Sequence, residues 1–144
     1  MMLSNTSKYA IRAMIYLALF ASSEKKAGIK EISEKLDIPT PFLGKILQLI
    51  AKRQLLNSTK GPHGGFSLSK PAMDISVMEV VEIIDGSDAF DTCVIRTTKC
   101  SYDAPCSLHD SIEPQRREMK KTFETKTIAD LASEFRHGKD RIRI

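Results

Sequence analysis

Apolar residues recur at helical spacing in the first forty residues of the chain. The stretch 4–21 carries two adjoining apolar stripes, which predict a first helix that is buried on most of its sides. A shorter helix is predicted next, because Ile29, Ile32 and Leu36 lie at positions i, i+3 and i+7. This pattern ends before Pro39, which predicts a tight turn.

A third helical pattern begins just after that turn. Thr40 is predicted to cap it, and Pro41 suits the first helical position, where its missing N–H costs nothing. Six apolar residues are predicted to form its core face: Phe42, Leu43, Ile46, Leu47, Leu49 and Ile50. The other face is polar, positive and free of acids, and consists of Gly44, Lys45, Gln48 and Lys52.

Two short strands with a glycine-rich turn between them follow this third helix. Leu55–Thr59 and Phe66–Ser69 are predicted to pair across the turn at 60–65. Gly64 and Gly65 are interpreted as positions that need positive φ or a close backbone approach to DNA. The order helix, tight turn, helix, hairpin is typical of a winged helix-turn-helix, and the alternative is a helical pair and hairpin in some other domain.

In a winged helix-turn-helix the second helix of the pair enters the DNA major groove, and the hairpin lies along the backbone or minor groove. The pattern therefore predicts a DNA-binding set drawn from the third helix and the hairpin turn. Its members are Thr40, Pro41, Gly44, Lys45, Gln48, Lys52, Lys60, His63, Gly64 and Gly65.

Beyond the hairpin, Ser76 and Glu79 match a capping box for a fourth helix, which Gly86 is placed to end. No periodicity is present from 87 to 103, and a loop of this length inside a small domain is often functional. Asp103 is predicted to cap a new helix, and Pro114 to kink or split it.

That long helix is amphipathic, with an apolar stripe of Leu108, Ile112, Met119 and Phe123. A small domain offers this stripe no partner, which indicates a second subunit. A last short helix is predicted from Thr127 to about Phe135, and residues 136–144 form a basic tail.

The predicted fold class is mostly α with a small β-hairpin wing, namely a winged helix-turn-helix plus a long dimerisation helix. Residues 1–86 form the DNA-binding domain and 87–106 a cysteine-bearing sensor loop. Residues 107–135 form the dimerisation and C-terminal helices, and 136–144 the tail.

The composition permits nucleic-acid binding without proving it. The 144 residues have a net charge of +4, and 42% of them are apolar, with a pI of about 9.0. The longest apolar stretch, 9–22, contains Arg12 and is shorter than the roughly 20 residues that span a bilayer. With no signal-peptide pattern at its start, the protein is expected to be cytoplasmic and without a membrane partner. No nucleophile–base pair, paired carboxylate or phosphate-binding loop indicates an enzyme.

Three cysteines in a cytosolic chain favour metal or redox chemistry over structural disulfides. Cys93, Cys100 and Cys106 are followed by His109, which would share a helix face with Cys106. Thiolates suit iron–sulfur clusters, zinc or copper(I), and an imidazole can complete a three-cysteine cluster site. The alternative is three unrelated thiols, although the polar loop around Cys93 and Cys100 makes core burial unfavourable.

Taken together, these motifs resemble the bacterial Rrf-two family of winged-helix regulators, which includes IscR, NsrR, RirA and CymR. The resemblance covers nearly the whole chain. Its motifs include Ser7-Lys8-Tyr9-Ala10, Glu31 to Leu36, Phe42-Leu43, Lys60 to Phe66, the three cysteines, and Thr127 to Leu131.

The resemblance implies a homodimer on a palindromic operator in double-stranded DNA, dimerised through the long helix. It also implies that Cys93, Cys100 and Cys106 hold a cluster, with 2Fe–2S favoured over 4Fe–4S, which aerobic preparation can remove. His109 matches the histidine that completes the site in IscR-like members. In NsrR-like members a partner residue can do so, but Lys8 stands at that position here, and a protonated lysine cannot ligate iron.

Two departures from the family pattern predict a different operator preference: His63 replaces a wing glycine, and Gly44 stands where an acid is common. The leading hypothesis is a transcriptional regulator, expected to be a repressor, that senses iron–sulfur status, redox state or nitric oxide through the cluster. The alternative is a cluster-free regulator of the same fold that uses thiol redox or a protein or small-molecule effector.

Overall fold

The computed structural model describes residues 3–136, which form six α-helices and one antiparallel hairpin. The helices are α1 (Asn5–Phe20), α2 (Ile29–Leu36), α3 (Thr40–Lys52), α4 (Val77–Asp85), α5 (His109–Thr125) and α6 (Ile128–Arg136). The strands are β1 (Leu56–Thr59) and β2 (Gly65–Leu68), and a 3₁₀ turn spans Ala72–Asp74. The predicted fold class, mostly α with a hairpin wing, is confirmed.

Helix α1 is the centre of the core. Its N-terminus is capped by Ser4, whose hydroxyl accepts a hydrogen bond from Ser7 N. It packs against α2, α3, α4, α6 and β2. Ala10 and Ala13 are completely buried, and these small side chains let neighbouring helices approach closely. The prediction of a helix buried on most sides is therefore confirmed.

The turn between α2 and α3 is closed by backbone geometry and one serine. Asp37 adopts the left-handed conformation at φ 52°, and the Ser33 hydroxyl donates to the carbonyl of Ile38 at 2.6 Å. The prediction that Thr40 caps α3 is wrong. Pro39 holds the cap position, and the Thr40 hydroxyl instead donates to Ser33 Oγ at 3.0 Å, which ties α3 to α2.

Four of the six residues predicted for the α3 core face are buried: Leu43, Ile46, Leu47 and Ile50. The prediction was wrong for Phe42 and Leu49, which are 60% and 38% exposed. Being seven positions apart, these two share one side of the helix. They line an open groove of about 370 Å³ together with Tyr9 and Ile84.

The hairpin pairs Leu56 with Leu68 and Thr59 with Gly65. It is anchored to the loop before α2, because Ala27 and Phe66 exchange backbone hydrogen bonds of 3.0 and 2.8 Å. The position of the wing is therefore linked to the start of α2.

Helix α4 begins with the predicted capping box, since Ser76 and Glu79 each accept from the other's backbone N–H. Gly86 ends it at φ 92°. The last residue of the helix, Asp85, accepts from Ser4 N at 3.2 Å and from the hydroxyls of Ser4 and Ser7 at 2.6 and 2.8 Å. This carboxylate fastens the end of α4 to the start of α1.

Residues 87–103 contain no helix or ladder strand, as predicted, apart from one bridge between Thr92 and Lys99, and the irregular segment continues to residue 108. The predicted cap at Asp103 is wrong: α5 starts at His109, and Leu108 precedes it without a side-chain cap. Pro114 does not split α5, which is continuous. It lies just past the first turn, where only one helical hydrogen bond is removed.

The C-terminal helix α6 begins where predicted and returns to the core. The Thr127 hydroxyl accepts from Asp130 N at 3.1 Å, and Asp130 Oδ2 accepts from Thr127 N at 2.9 Å. Ile128 is completely buried. Of the predicted basic tail, 137–144 lies outside the described residues. Within 3–136, no helix is long and apolar enough to cross a membrane.

The Asp85 contacts predict a large loss of stability on truncation. Asp85→Ala should lower the free energy of unfolding by about 2 kcal/mol, because the Ser7 hydroxyl would stay buried without its acceptor. Urea denaturation at fixed protein concentration measures this change. The matched control is Asp88→Ala, which removes only an exposed ion pair with Lys99 and should change stability by less than about 0.5 kcal/mol. Equal losses in both variants would contradict the role of Asp85.

Candidate DNA-binding surface and cysteine site

The polar side of α3 forms one exposed surface, as its sequence pattern predicted. Lys45, Gln48 and Lys52 are all exposed. A shallow concavity of about 450 Å³ brings together Thr40, Pro41, Gly44, Lys45, Gln48, Leu49 and Lys52. All six α3 members of the predicted DNA-binding set therefore lie on one face.

Gly44 has a packing role in addition to its place on this face. A Cβ at this position would lie 3.2 Å from Ile29 Cδ1 of α2. Glycine thus allows the two helices of the helix-turn-helix to pack closely, whichever residue other family members have there.

The hairpin turn presents Lys60 and His63 to solvent. Of the two glycines predicted to need positive φ or close approach to DNA, Gly65 has the positive φ, at 148°. Contacts within the chain constrain it further, because a Cβ there would lie 2.4 Å from the Ala27 carbonyl oxygen. At Gly64 a Cβ would lie 2.2 Å from the Thr59 carbonyl oxygen.

Cys93 and Cys100 lie on opposite sides of the short Thr92–Lys99 bridge. Cys93 N donates to the Thr98 carbonyl at 3.0 Å, and Cys100 N donates to the Asp91 carbonyl at 2.7 Å. The bridge therefore brings together two cysteines that are seven residues apart in sequence.

Cys93 is buried, with 8% exposure, contrary to the expectation that the loop would leave it in a polar environment. Backbone N–H groups of Arg96 and Ile95 bond its sulfur and lower the pKa of the thiol, and a side-chain hydrogen bond with Cys106 acts in the same direction. Folded backbone, rather than polar side chains, surrounds this sulfur.

His109 is buried and pairs with Cys100: Nδ1 lies 3.2 Å from the Cys100 sulfur. The expected helix face shared with Cys106 does not exist, because Cys106 lies in the turn before α5, where its carbonyl accepts from His109 N at 3.0 Å. The other ring nitrogen, Nε2, is buried without a hydrogen-bond partner among the described residues.

The four predicted ligands thus form two contacting pairs, Cys93 with Cys106 and Cys100 with His109. None of the three cysteines is in a disulfide. Among residues 3–136, no group of three or more His, Cys, Asp or Glu side chains is arranged to hold a metal ion.

A network of polar side chains beside these pairs was missed by the sequence analysis. Tyr102 donates to Glu113 Oε1 at 2.6 Å, Arg117 donates to the same oxygen at 2.8 Å, and Arg116 donates to Glu113 Oε2. These hydrogen bonds lower the pKa of Glu113 to about 2. The i, i+3 and i, i+4 spacing of Glu113 to the arginines was the available signal, but nothing local indicated Tyr102.

The fold and the exposed surface of α3 together are those of a winged helix-turn-helix protein, the class of DNA-binding regulators. Residues 3–134 match the family model of Rrf2, described as iron-dependent transcriptional regulator, so the chain belongs to the Rrf2 family. Members of this family are transcriptional regulators rather than enzymes.

Individual proteins agree with this assignment. The chain is 35% identical over 133 residues to an Aquifex aeolicus protein assigned to the HTH-type transcriptional regulators, covering 91% of each chain. It is 29% identical over 132 residues to the regulator NsrR of Oceanobacillus iheyensis, covering 91% and 89% of the two chains. The structure of CymR of B. subtilis, at 19% identity, superposes with a TM-score of 0.77 over 93% of this chain and 98% of that one.

The Glu113 network predicts acid-sensitive stability. The pKa of Glu113 in the folded state is about 2, below the ordinary 4.5. Its ionised carboxylate therefore stabilises the fold above pH 4.5. That contribution is lost as pH falls from 4.5 towards 2. Glu113→Gln should therefore be less stable than wild type at pH 7, and the difference should shrink across that interval in denaturant titrations. The exposed Glu118→Gln should stay within about 0.5 kcal/mol of wild type at every pH, and a pH-independent difference for Glu113→Gln would contradict the assignment.

Proposed function

We propose that the chain is a cytoplasmic transcriptional regulator, acting as a repressor, that binds a palindromic operator in double-stranded DNA as a homodimer. Its signal is read by an iron–sulfur cluster, favoured as 2Fe–2S, held by Cys93, Cys100, Cys106 and His109. The observation that carries the proposal is the meeting of Cys100 and His109 at 3.2 Å, beside the Cys93–Cys106 pair.

The DNA-binding half of the proposal rests on the exposed α3 face. Two lysines and a glutamine project from a helix that is firmly packed on its other side. Lysines are suited to phosphate contacts, and a glutamine can bond an adenine edge bidentately. The hairpin adds Lys60 and His63 on the same helix-turn-helix unit.

The dimer is supported by the apolar stripe of α5. Leu108 and Met119 are 45% and 41% exposed, whereas Phe123 packs against Phe90 with ring centroids 5.1 Å apart. Two of the four residues of the stripe are therefore exposed on one chain, and Ile112 and Phe123 are half-buried. An apolar stripe on a long helix is covered in a two-fold dimer by the same stripe of its partner.

The residues of the cysteine site fit a cluster by donor chemistry. Three free thiols and an imidazole are supplied by two pairs, Cys93 with Cys106 and Cys100 with His109, which a cluster would have to draw together. The buried, unpartnered Nε2 of His109 offers a lone pair that an iron ion would satisfy. The description of the matching family as iron-dependent supports the same reading. When bound, the cluster supplies a redox-active, degradable group.

A second candidate function, a thiol switch without a metal, is favoured by one contact. Cys93 and Cys106 interact through their side chains, so they are the two thiols that oxidation would join in a disulfide. The two functions are separated by whether iron binds.

Two substitutions on α3 should have different effects on DNA binding. Lys52→Ala should weaken binding to all sequences and reduce the slope of affinity against salt by about 1, because a lysine there is placed to meet phosphate. Gln48→Ala should relax base preference, by about 1–3 kcal/mol of discrimination, if it bonds a base edge. Fluorescence anisotropy with operator and scrambled DNA at several salt concentrations measures both effects.

The matched control is Lys121→Ala. It removes the same charge from α5, two residues from Met119 and thus on the opposite side of that helix. Its DNA affinity and salt slope should equal those of wild type. A wild-type protein that sediments as a monomer and ignores DNA at low salt would refute the proposal.

Anaerobic reconstitution with iron and sulfide tests the cluster. Each of Cys93→Ala, Cys100→Ala and Cys106→Ala should abolish it, because two thiolates do not hold a cluster. His109→Ala should weaken the cluster and shift its absorption spectrum, whereas His109→Cys should restore it with a lower reduction potential, since imidazole donates less charge than thiolate. Iron and sulfide analysis with absorption spectroscopy gives the readout.

The control is the variant in which all three cysteines are replaced by alanine. Wild type that binds no more iron than this variant would remove the cluster and leave the thiol switch. A Cys93–Cys106 disulfide found by mass spectrometry after mild oxidation would then support that second function.

A further inference from the structure

A buried arginine lies between the cysteine-bearing loop and α5. Arg116 is only 9% exposed, and arginine is almost never fully buried unless it is paired. Nothing in the DNA-binding surface uses it. Its partners therefore indicate its role.

The guanidinium of Arg116 has two kinds of partner. It forms an ion pair with Glu113 Oε2, one turn earlier on α5, and its side chain also hydrogen-bonds the sulfur of Cys100. The planar fork of five N–H donors allows one arginine to hold an acid and a sulfur simultaneously. Arg116 thus links the loop to the helix.

Tyr102 makes a second link two residues further along the loop. Its hydroxyl donates to Glu113 Oε1 at 2.6 Å, and its ring meets the His109 ring edge-on at 4.9 Å between centroids. Glu113 is therefore shared by both links, and its side chain is only 13% exposed. The carboxylate is the common anchor for Cys100 and Tyr102.

The backbone gives this part of the loop little other support. Among the described residues, backbone-to-backbone hydrogen bonds of 101–108 reach only the first turn of α5. Before this part of the loop, the backbone is held at the Thr92–Lys99 bridge, where Cys100 N donates to the Asp91 carbonyl at 2.7 Å. The bridge holds the Cys100 backbone, and side-chain contacts to α5 hold its sulfur and the residues that follow.

We infer that Arg116 is a positioning residue: held by Glu113, it fixes the Cys100 sulfur beside His109 and donates a hydrogen bond to it. A donor to a ligand sulfur, together with a nearby positive charge, raises the reduction potential of the group that the sulfur binds. This effect on the potential rests on the proposed cluster function, whereas the fixing of the loop does not.

The first test uses hydrogen exchange on the full-length, cluster-free protein. Arg116→Gln should make backbone amides of residues 99–108 exchange about tenfold faster, because the loop loses its link to α5. Amides of α1 to α4 should exchange as in wild type, which shows that the variant is folded. Unchanged exchange in the loop would overturn the inference.

Lys121→Gln is the matched control, because Lys121 is an exposed cation on the same helix. Arg117 would not serve, because it donates to the Tyr102 hydroxyl as well as to Glu113. Lys121→Gln should change loop exchange much less than Arg116→Gln does. Arg116→Lys keeps the charge without the fork, so it should rescue loop exchange only in part. Equal effects of Arg116→Gln and Lys121→Gln would show that the general charge of α5 is responsible and would overturn the inference.

The second test uses anaerobically reconstituted protein and a dye-mediated redox titration. Arg116→Gln should shift the reduction potential to a more negative value and lower the iron retained after gel filtration, whereas Lys121→Gln should match wild type in both. An unchanged reduction potential would show that Arg116 does not raise the potential of the group that the Cys100 sulfur binds. If wild type itself takes up no iron, the proposed cluster function fails, and the exchange experiment alone decides whether Arg116 positions Cys100.

Discussion

The packing of α1 is the constraint on which the rest of the structure depends. This helix contacts both helices of the helix-turn-helix, the second strand of the hairpin, α4 and α6. Alanine at positions 10 and 13 keeps its sides narrow, and both residues are completely buried. Its start is tied to α4 through Asp85. The end of α4, from which the cysteine loop and α5 follow, is therefore joined directly to the helix that supports the DNA-binding surface.

Polar contacts hold the cysteine loop in position, whereas apolar packing holds the core. Residues 87–108 have little regular structure, and only Phe90 and its neighbours join an apolar cluster with Met78 and Val81. The Cys100 end of the loop is held instead by Tyr102, Glu113 and Arg116. Polar links of this kind break at a low free-energy cost compared with a packed core. Within the described residues, the segment that carries the three cysteines is therefore held largely by polar contacts.

The regular elements could be predicted from sequence because their signals are local. The apolar spacing of α1 and α2, the Ser76–Glu79 capping box and the alternating hairpin strands each involve residues within one or two turns. Where the prediction failed, the outcome depended on other elements of the fold and not on the local pattern. Thr40 bonds Ser33 of the preceding helix instead of capping its own. Phe42 and Leu49 stay exposed because none of the elements within residues 3–136 covers that side of α3.

The candidate site was predictable in its membership but not in its pairing. The cysteines and His109 were found from residue type and spacing, whereas the Cys100–His109 contact depends on how the loop folds back on α5. Arg116 could not be assigned from sequence, since a charged residue on an amphipathic helix is usually solvated. Its burial follows from the thiol and the carboxylate that it meets.

The crowded backbone of the hairpin turn limits how the wing can evolve. At Gly64 and Gly65 any side chain would collide with the carbonyl oxygens of Thr59 or Ala27, so these positions are closed to variation. Lys60 and His63 point into solvent and carry no such penalty. Substitutions at those two positions can therefore change the charge and shape of the wing tip without altering the path of the hairpin.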